Sequence, residues 1–261
     1  MNRLEYRDVT MRFNGQAGML TAVQDVTFEV ADGEVVSLIG PSGCGKSTLL
    51  NIGAGLNPAS SGLAYVDGEP VMGPNSHVAF MLQKDLMLPW RTIAENVMFG
   101  AEIQGVSRND REERAHALLL KFRLAEFGEH YPHQLSGGMR QRAALARTLA
   151  ADPSVLLLDE PFSAVDAQTR IMLQYDLAQT LKEAGKTALL ITHDLLEAVI
   201  LSDRILVMSR RPGKIIDEVS IDIPDREDPF ARRRDRRVQD YVSRLMDRLD
   251  IGHPTEAANQ V

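Results

Sequence analysis

The sequence predicts an α/β fold in which a buried parallel sheet carries an antiparallel β portion ahead of it and a helical insert within it. Three observations point there. Four short apolar runs, Val35–Ile39 and residues 78–82, 155–158 and 187–191, are continuous rather than alternating, as strands covered on both faces are. Each leads into polar or loop residues able to do chemistry: a glycine-rich loop, Gln83, Asp159 and, past one threonine, His193. Between the second and third runs, residues 92–151 show helical spacing and no convincing strand.

Taken in order, the first thirty residues group their apolar side chains in short sets (Leu4, Tyr6, Val9; then Val23, Val26, Phe28, Val30) and read as antiparallel strands. A turn at Asp32-Gly33 enters the first buried strand. The clearest helical pieces of the insert are 94–99, 111–122 and 139–150. This divides the chain into a main domain, residues 1–222, and a tail. The domain's core is about 1–86 and 152–222, and its insert about 87–151. The tail, 223–261, is charged, and its apolar Val238, Val242, Leu245 and Leu249 fall at i, i+4, i+7 and i+11, one helical stripe. That stripe is expected to pack on its own domain. The run Arg232-Arg233-Arg234-Asp235-Arg236-Arg237 sits among Asp225, Glu227, Asp228 and Asp240, and reads as a solvated, salt-bridged helical face.

Bulk composition narrows the function classes. The hydrophobic share is 44% and the charged share 25%, values of an ordinary globular chain. With 36 acidic against 29 basic residues, non-specific nucleic-acid binding is disfavoured, and nucleic acid is not expected as a partner. The single cysteine, Cys44, excludes an internal disulfide. No apolar run approaches the roughly 18 residues that cross a bilayer. Residues 1–8 lack the basic-then-apolar pattern of a secretory signal. A cytoplasmic location is expected, with any membrane role exerted through a partner.

The chemistry begins at Gly40-Pro41-Ser42-Gly43-Cys44-Gly45-Lys46-Ser47, which matches G-x-x-x-x-G-K-[ST] directly after a predicted strand, with Thr48 following it. Glycines let the backbone curl so that successive N–H groups face phosphate oxygens, and the helix starting near Lys46 adds its positive end. Lys46 supplies charge to the β- and γ-phosphates, and Ser47 a hydroxyl to Mg²⁺. Downstream, Asp159 ends a buried strand where it can hold the Mg²⁺ shell, and Glu160 is placed to polarise an attacking water. A further anion site reads from Leu135-Ser136-Gly137-Gly138-Met139-Arg140-Gln141-Arg142: Ser136 caps a helix and two glycines expose its first N–H groups. Two anion sites in one chain make sense if each serves a different nucleotide across a dimer.

This last pattern resembles the signature of ATP-binding cassette (ABC) ATPases, and the resemblance runs over about residues 3 to 222. It implies the P-loop NTPase fold of that family, with a RecA-like parallel core. It also implies ATP and Mg²⁺ as cofactors, and two subunits paired head to tail, here most simply as a homodimer. Phe13 falls where the family stacks an aromatic on adenine, with Tyr6 as a competitor. Gln83 matches the glutamine that reaches the Mg²⁺ and water site. Ser163-Ala164-Val165-Asp166 matches the D-loop, with valine where leucine is commoner, and His193 in Thr192-His193-Asp194 matches the switch histidine. By this analogy Glu160 is the general base, and His193, Gln83 and Lys46 complete the catalytic set. Ser47, Gln83 and Asp159 serve the metal. Ser136, Gly137, Gly138 and Asp166 serve the opposite nucleotide.

Two further segments bear on cargo. Leu88-Pro89-Trp90 and Val207-Met208-Ser209-Arg210-Arg211-Pro212-Gly213 are similar to ATPases of the nitrate/sulfonate/taurine importer group, which also includes importers of pyrimidine precursors of thiamin. The resemblance implies an importer ATPase at the cytoplasmic face of the membrane, working with a permease and, indirectly, a solute-binding protein. Trp90 is a candidate for the groove that receives the permease, or a core residue. Soluble ABC machines usually carry two cassettes or a coiled-coil insertion, and this chain has neither. Lastly, Cys44 lies inside the cradle beside Lys46, a setting that favours thiolate and alkylation, against a buried inert thiol.

Overall fold

The computed structural model describes residues 1–15 and 18–251. The chain opens with two long antiparallel strands, β1 (Asn2–Gly15) and β2 (Gly18–Ala31). They are followed by β3 (Val35–Ile39), helix α1 (Lys46–Gly53), β4 (Ser61–Val66), the short β5 (Glu69–Pro70) and β6 (Val78–Met81). Three helices come next: α2 (Ile93–Ile103), α3 (Arg108–Lys121) and α4 (Gly137–Ala150). The core then resumes with β7 (Val155–Asp159), α5 (Ala167–Glu183), β8 (Thr187–Ile191), α6 (Leu195–Leu201), β9 (Arg204–Met208) and β10 (Ile215–Ser220). Helices α7 (Pro229–Arg234) and α8 (Arg237–Arg248) end the described chain.

The strands form two sheets. A four-stranded antiparallel sheet runs β2-β1-β4-β5, and a six-stranded sheet runs β10-β9-β3-β8-β7-β6. In the larger sheet, β9, β3, β8, β7 and β6 are parallel and β10 is antiparallel to β9 at the edge. Every residue of β3, β7 and β8 is buried, which is why these runs show no alternation in sequence. Alternation survives in where the side chains go. Leu156 and Leu158 face a core built with α4 and α5, whereas Val155 and Leu157 face α1 and the antiparallel sheet. Tyr6 ties those last two together: its hydroxyl donates to the Leu49 carbonyl of α1 at 2.8 Å, and its ring stacks on Phe28.

Register positions the chemistry. β6 pairs with β7, β7 with β8 and β8 with β3, so the four strand ends lie side by side along one edge. That edge carries, in spatial order, Gln83, Asp159 with Glu160, His193 and the loop after Ile39. Strand β9, unread in the sequence, extends the parallel set on the other side of β3.

The tail stripe packs on its own domain as expected. Val238 and Leu245 are buried against α6 and the β9–β10 edge, with Val242 and Leu249 partly buried beside them; residues 252–261 of the tail lie outside the described residues. The arginine run departs from the solvated face read in the sequence. Arg232 is 3% exposed, and its guanidinium donates to the carbonyls of Ser202 (2.7 Å), Pro224 (3.0 Å), Val199 and Ile223. A five-donor fork satisfies the end of α6 and the chain leaving β10 together, which a helical-wheel count cannot foresee. Asp235, by contrast, does pair with exposed Arg237 at 2.8 Å. Replacing Arg232 by alanine strands these buried carbonyls and should lower stability by about 3 kcal/mol in urea unfolding; a loss below about 1 kcal/mol would show the clamp to be incidental.

Candidate active site

A cavity of about 340 Å³ opens over the ends of β3 and β7 and is lined by Phe13, Ser42, Gly43, Gly45, Lys46, Ser47, Thr48, Gln83, Asp159, Glu160 and Arg211 among others. Its floor is the loop 40–45. Gly45 has φ of +108°, and a Cβ there would come within 2.3 Å of Val23, so only glycine permits both the turn and the approach of β2. The loop feeds α1, whose first N–H groups point into the cavity mouth. The Lys46 ammonium donates to the carbonyls of Gly40 (2.7 Å) and Pro41 (3.1 Å), so these two residues hold the lysine while the loop beyond them lines the space.

On the far wall the Asp159 carboxyl is hydrogen-bonded to Ser47, and burial pushes its pKa up, with Glu160 adding to the shift. The Asp159 carboxyl and the Ser47 hydroxyl together offer the all-oxygen donors that suit a hard divalent cation such as Mg²⁺. Next to it, Glu160 is held from two sides. Gln83 Nε2 donates to its Oε2 at 2.9 Å, and His193 Nδ1 lies 3.4 Å from its Oε1. The backbone of Glu160 is left-handed, φ +49°, a conformation that costs about 1 kcal/mol for a residue with a side chain. It is held there by its N–H on Ile191 O (3.0 Å) and by Ser163 Oγ donating to its carbonyl (3.1 Å).

Among the residues read from sequence, the structure gathers Phe13, the loop, Lys46, Ser47, Thr48, Gln83, Asp159 and Glu160 on one cavity, with His193 beside it. It separates Ser136, Gly137, Gly138 and Asp166 from that cavity. Ser136 is exposed and caps α4 by accepting from Met139 N–H at 3.3 Å. Asp166 caps α5 by accepting from Thr169 N–H at 3.0 Å, and that hydrogen bonding holds its pKa below the usual carboxylate range. Gly138 packs against Val165, where an added Cβ would sit 3.1 Å from a valine methyl. Of the two aromatics, Tyr6 is wholly buried, whereas Phe13 is half-exposed on the cavity wall. Trp90 is 71% exposed, which removes the core reading; it borders a separate cavity of about 570 Å³ with Met98, Glu102, Arg111 and Glu129. Cys44 is 1% exposed with its Sγ 3.8 Å from Lys46 Nζ, which withdraws the solvent-reactive reading in favour of a buried thiol.

Two residues of the site went unassigned in the sequence. Arg211, from the β9–β10 connection, donates twice to the Gly43 carbonyl (2.8 and 3.1 Å) and lines the cavity. Buried Gln141 of α4 donates to the Glu160 carbonyl (3.3 Å) and accepts from Ala164 N–H (3.1 Å), so α4 is tied to Glu160 and to the following loop. Gln141 lay inside a quoted motif, where its reach across to β7 was invisible.

Comparison with known proteins follows the same lines. The ABC transporter family model matches residues 23–163. The chain belongs to the ABC transporter family. It is 45% identical over 233 residues to the taurine import ATP-binding protein TauB of Burkholderia pseudomallei strain 1710b, covering 89% of this chain and 87% of that one. It is 42% identical over 240 residues to an uncharacterised ABC transporter ATP-binding protein of Methanocaldococcus jannaschii, covering 92% and 87%. Among solved structures, the cassette MJ0796 in a dimeric post-hydrolysis state bound to ADP and Pi superposes with a TM-score of 0.76 at 31% identity, over 84% of this chain and 98% of that one. The chain is therefore an ATP-binding cassette and an ATPase, on the fold its sequence predicts. No helix among the described residues is long and apolar enough to cross a membrane.

Behind His193, Glu197 of α6 is buried, and burial raises its pKa to about 7. A carboxyl whose pKa is higher folded than unfolded binds extra protons in the native state, so its contribution to stability is complete in acid and is lost as pH rises through about 7. Wild type should therefore lose up to about 3 kcal/mol relative to Glu197→Gln between pH 5 and pH 8. Parallel stability–pH curves for the two proteins would show that the carboxyl is not held in this way.

Proposed function

We propose that this chain is the ATP-hydrolysing subunit of an importer for taurine or a related small sulfonate, seated on the cytoplasmic face of a permease and working as a head-to-tail pair. The similarity to TauB supports the cargo class and the importer role. One observation carries the catalytic reading: Glu160 is held between Gln83 and His193 above a phosphate cradle, while the Ser136-capped helix opens away from that cavity. A helix N-terminus that cannot serve its own chain's nucleotide is free to serve a partner's. The exposed Trp90 and its cavity supply the face for the permease.

In this reading the adenine lies against Phe13, and the N–H groups of residues 42–48 receive the phosphates, joined by the Lys46 ammonium. Ser47 and Asp159, with Gln83 beside them, would hold Mg²⁺, which would supply positive charge to the phosphates. The Glu160 carboxylate accepts the proton of a water as its oxygen bonds to the γ-phosphorus and the bond to the β-phosphate oxygen breaks. Because His193 Nδ1 faces Glu160, its Nε2 is left to meet the γ-phosphate. Gln83 loses a partner when Glu160 turns to the water, which gives the loop leading to Trp90 a way to sense the nucleotide.

Glu160→Gln should bind Mg-ATP with wild-type affinity and hydrolyse it at least about 100-fold more slowly. In the cells of origin, deleting the gene should abolish uptake of labelled taurine, and the Glu160→Gln allele should fail to restore it. Near-normal hydrolysis by that variant would remove Glu160 from the role of base. Undiminished taurine uptake after deletion would move the cargo to another solute.

A further inference from the structure

The tail of this chain reaches the active site by a route that the catalytic reading does not use. Helix α7 lies on α5: Phe230 meets the Tyr175 ring with centroids 5.3 Å apart, and Gln179 Nε2 donates to the Glu227 carbonyl at 3.0 Å. From this seat Arg233 extends inward, and its Nη2 donates to Gln174 Oε1 at 3.1 Å. The Gln174 side chain, itself buried, donates from Nε2 to Glu197 Oε2 at 3.0 Å. Glu197 is hydrogen-bonded in turn to the side chain of Thr192, whose Oγ1 accepts from the N–H of Asp194 at 3.0 Å. Thr192 and Asp194 are the residues on either side of His193.

The polarity of this chain follows from chemistry alone. Arginine has donors and no acceptor, so it can face only the oxygen of the Gln174 amide. That choice turns the amide nitrogen toward Glu197, where a carboxylate can accept it. The Thr192 hydroxyl already accepts from Asp194 N–H, so its own proton is free to go to Glu197. Glu197 favours the same orientation, since a flipped amide would place oxygen against carboxylate oxygen, and Arg233 secures it from the other side. The links at Gln174, Glu197 and Thr192 are all buried, so water cannot substitute at those points.

We propose that Arg233 is a positioning residue for the His193 loop, acting through the orientation of the Gln174 amide and the grip of Glu197 on Thr192. The tail is then part of the catalytic apparatus, and a segment outside the matched family region sets how firmly the histidine is presented to the γ-phosphate. The proposal rests on the reading of His193 as the group that meets that phosphate.

The test is steady-state ATP hydrolysis by the full chain as wild type, Arg233→Met, Arg233→Lys, Arg234→Ala and His193→Ala, and by the Arg233→Met/His193→Ala double variant. Methionine keeps the packing of the arginine stem and removes the donor. The expected result for Arg233→Met is a fall in kcat of about fivefold with KM for ATP within twofold of wild type. Arg233→Lys should recover part of the loss, and Arg234→Ala, an exposed neighbour, should match wild type. On the His193→Ala background Arg233→Met should cost nothing further, because the group it positions is gone. A wild-type kcat for Arg233→Met, or the same fivefold loss on both backgrounds, would overturn the proposal. Wild-type hydrolysis by His193→Ala would instead overturn the reading of the histidine beneath it. A melting temperature for Arg233→Met within about 2 °C of wild type excludes a fold defect as the cause. If it falls further, Gln174→Leu, which breaks the chain at its middle, is measured by the same criteria and decides.

Discussion

The site depends on where one carboxylate is held. Glu160 follows directly from β7, between the end of β6, which brings Gln83, and the end of β8, which brings His193. Parallel pairing makes this possible, since it sets the carboxyl ends of neighbouring strands at the same edge of the sheet. The side chain is then aimed by a left-handed backbone conformation that would relax if free, and hydrogen bonds to Ile191 and from Ser163 and Gln141 offset that cost. On the proposed reading, a carboxylate aimed by its backbone in this way needs only to turn from Gln83 to meet the water.

Much of this was legible before any coordinates. Buried parallel strands announce themselves as unbroken apolar runs, and residues 35–39, 155–158 and 187–191 are such runs. The phosphate loop is a local structure with local requirements, so its glycines, Lys46 and Ser47 could be read at fixed spacing. Ser136 as a helix cap is equally local and stands where it was read. What escaped was long-range. Arg211 reaches Gly43 across 168 positions of sequence, Gln141 reaches back from α4 to β7, and Arg232 is drawn under α6 although Arg234, Arg236 and Arg237 of the same run are exposed. Cys44 and Tyr6 were left open because packing, not residue type, decides whether a side chain in such a place faces solvent. Strand β9 is a buried apolar run of the same kind that went unread, whereas half-exposed β10 has too weak a period to be read as strand.

The chain also separates two kinds of anion-binding end. The N-terminus of α1 opens into the cavity that its own loop builds. The N-terminus of α4 opens outward, capped by an exposed serine and backed by Val165 from the loop that begins at Glu160. Gln141 joins that helix to the base and to the same loop, so displacement of α4 is felt at Glu160. On the proposed reading this amide links nucleotide capture between two chains to the chemistry within one, and the Trp90 face lies on the same insert that carries α4.

The central claim is that one copy's Ser136 helix completes the site that another copy's Glu160 serves. Sedimentation velocity of Glu160→Gln with and without Mg-ATP tests it directly. The account predicts monomer alone, dimer with Mg-ATP, and loss of that dimer when Ser136→Arg is added while ATP binding persists. A protein that binds Mg-ATP and stays monomeric, or a dimer indifferent to Ser136, would contradict it.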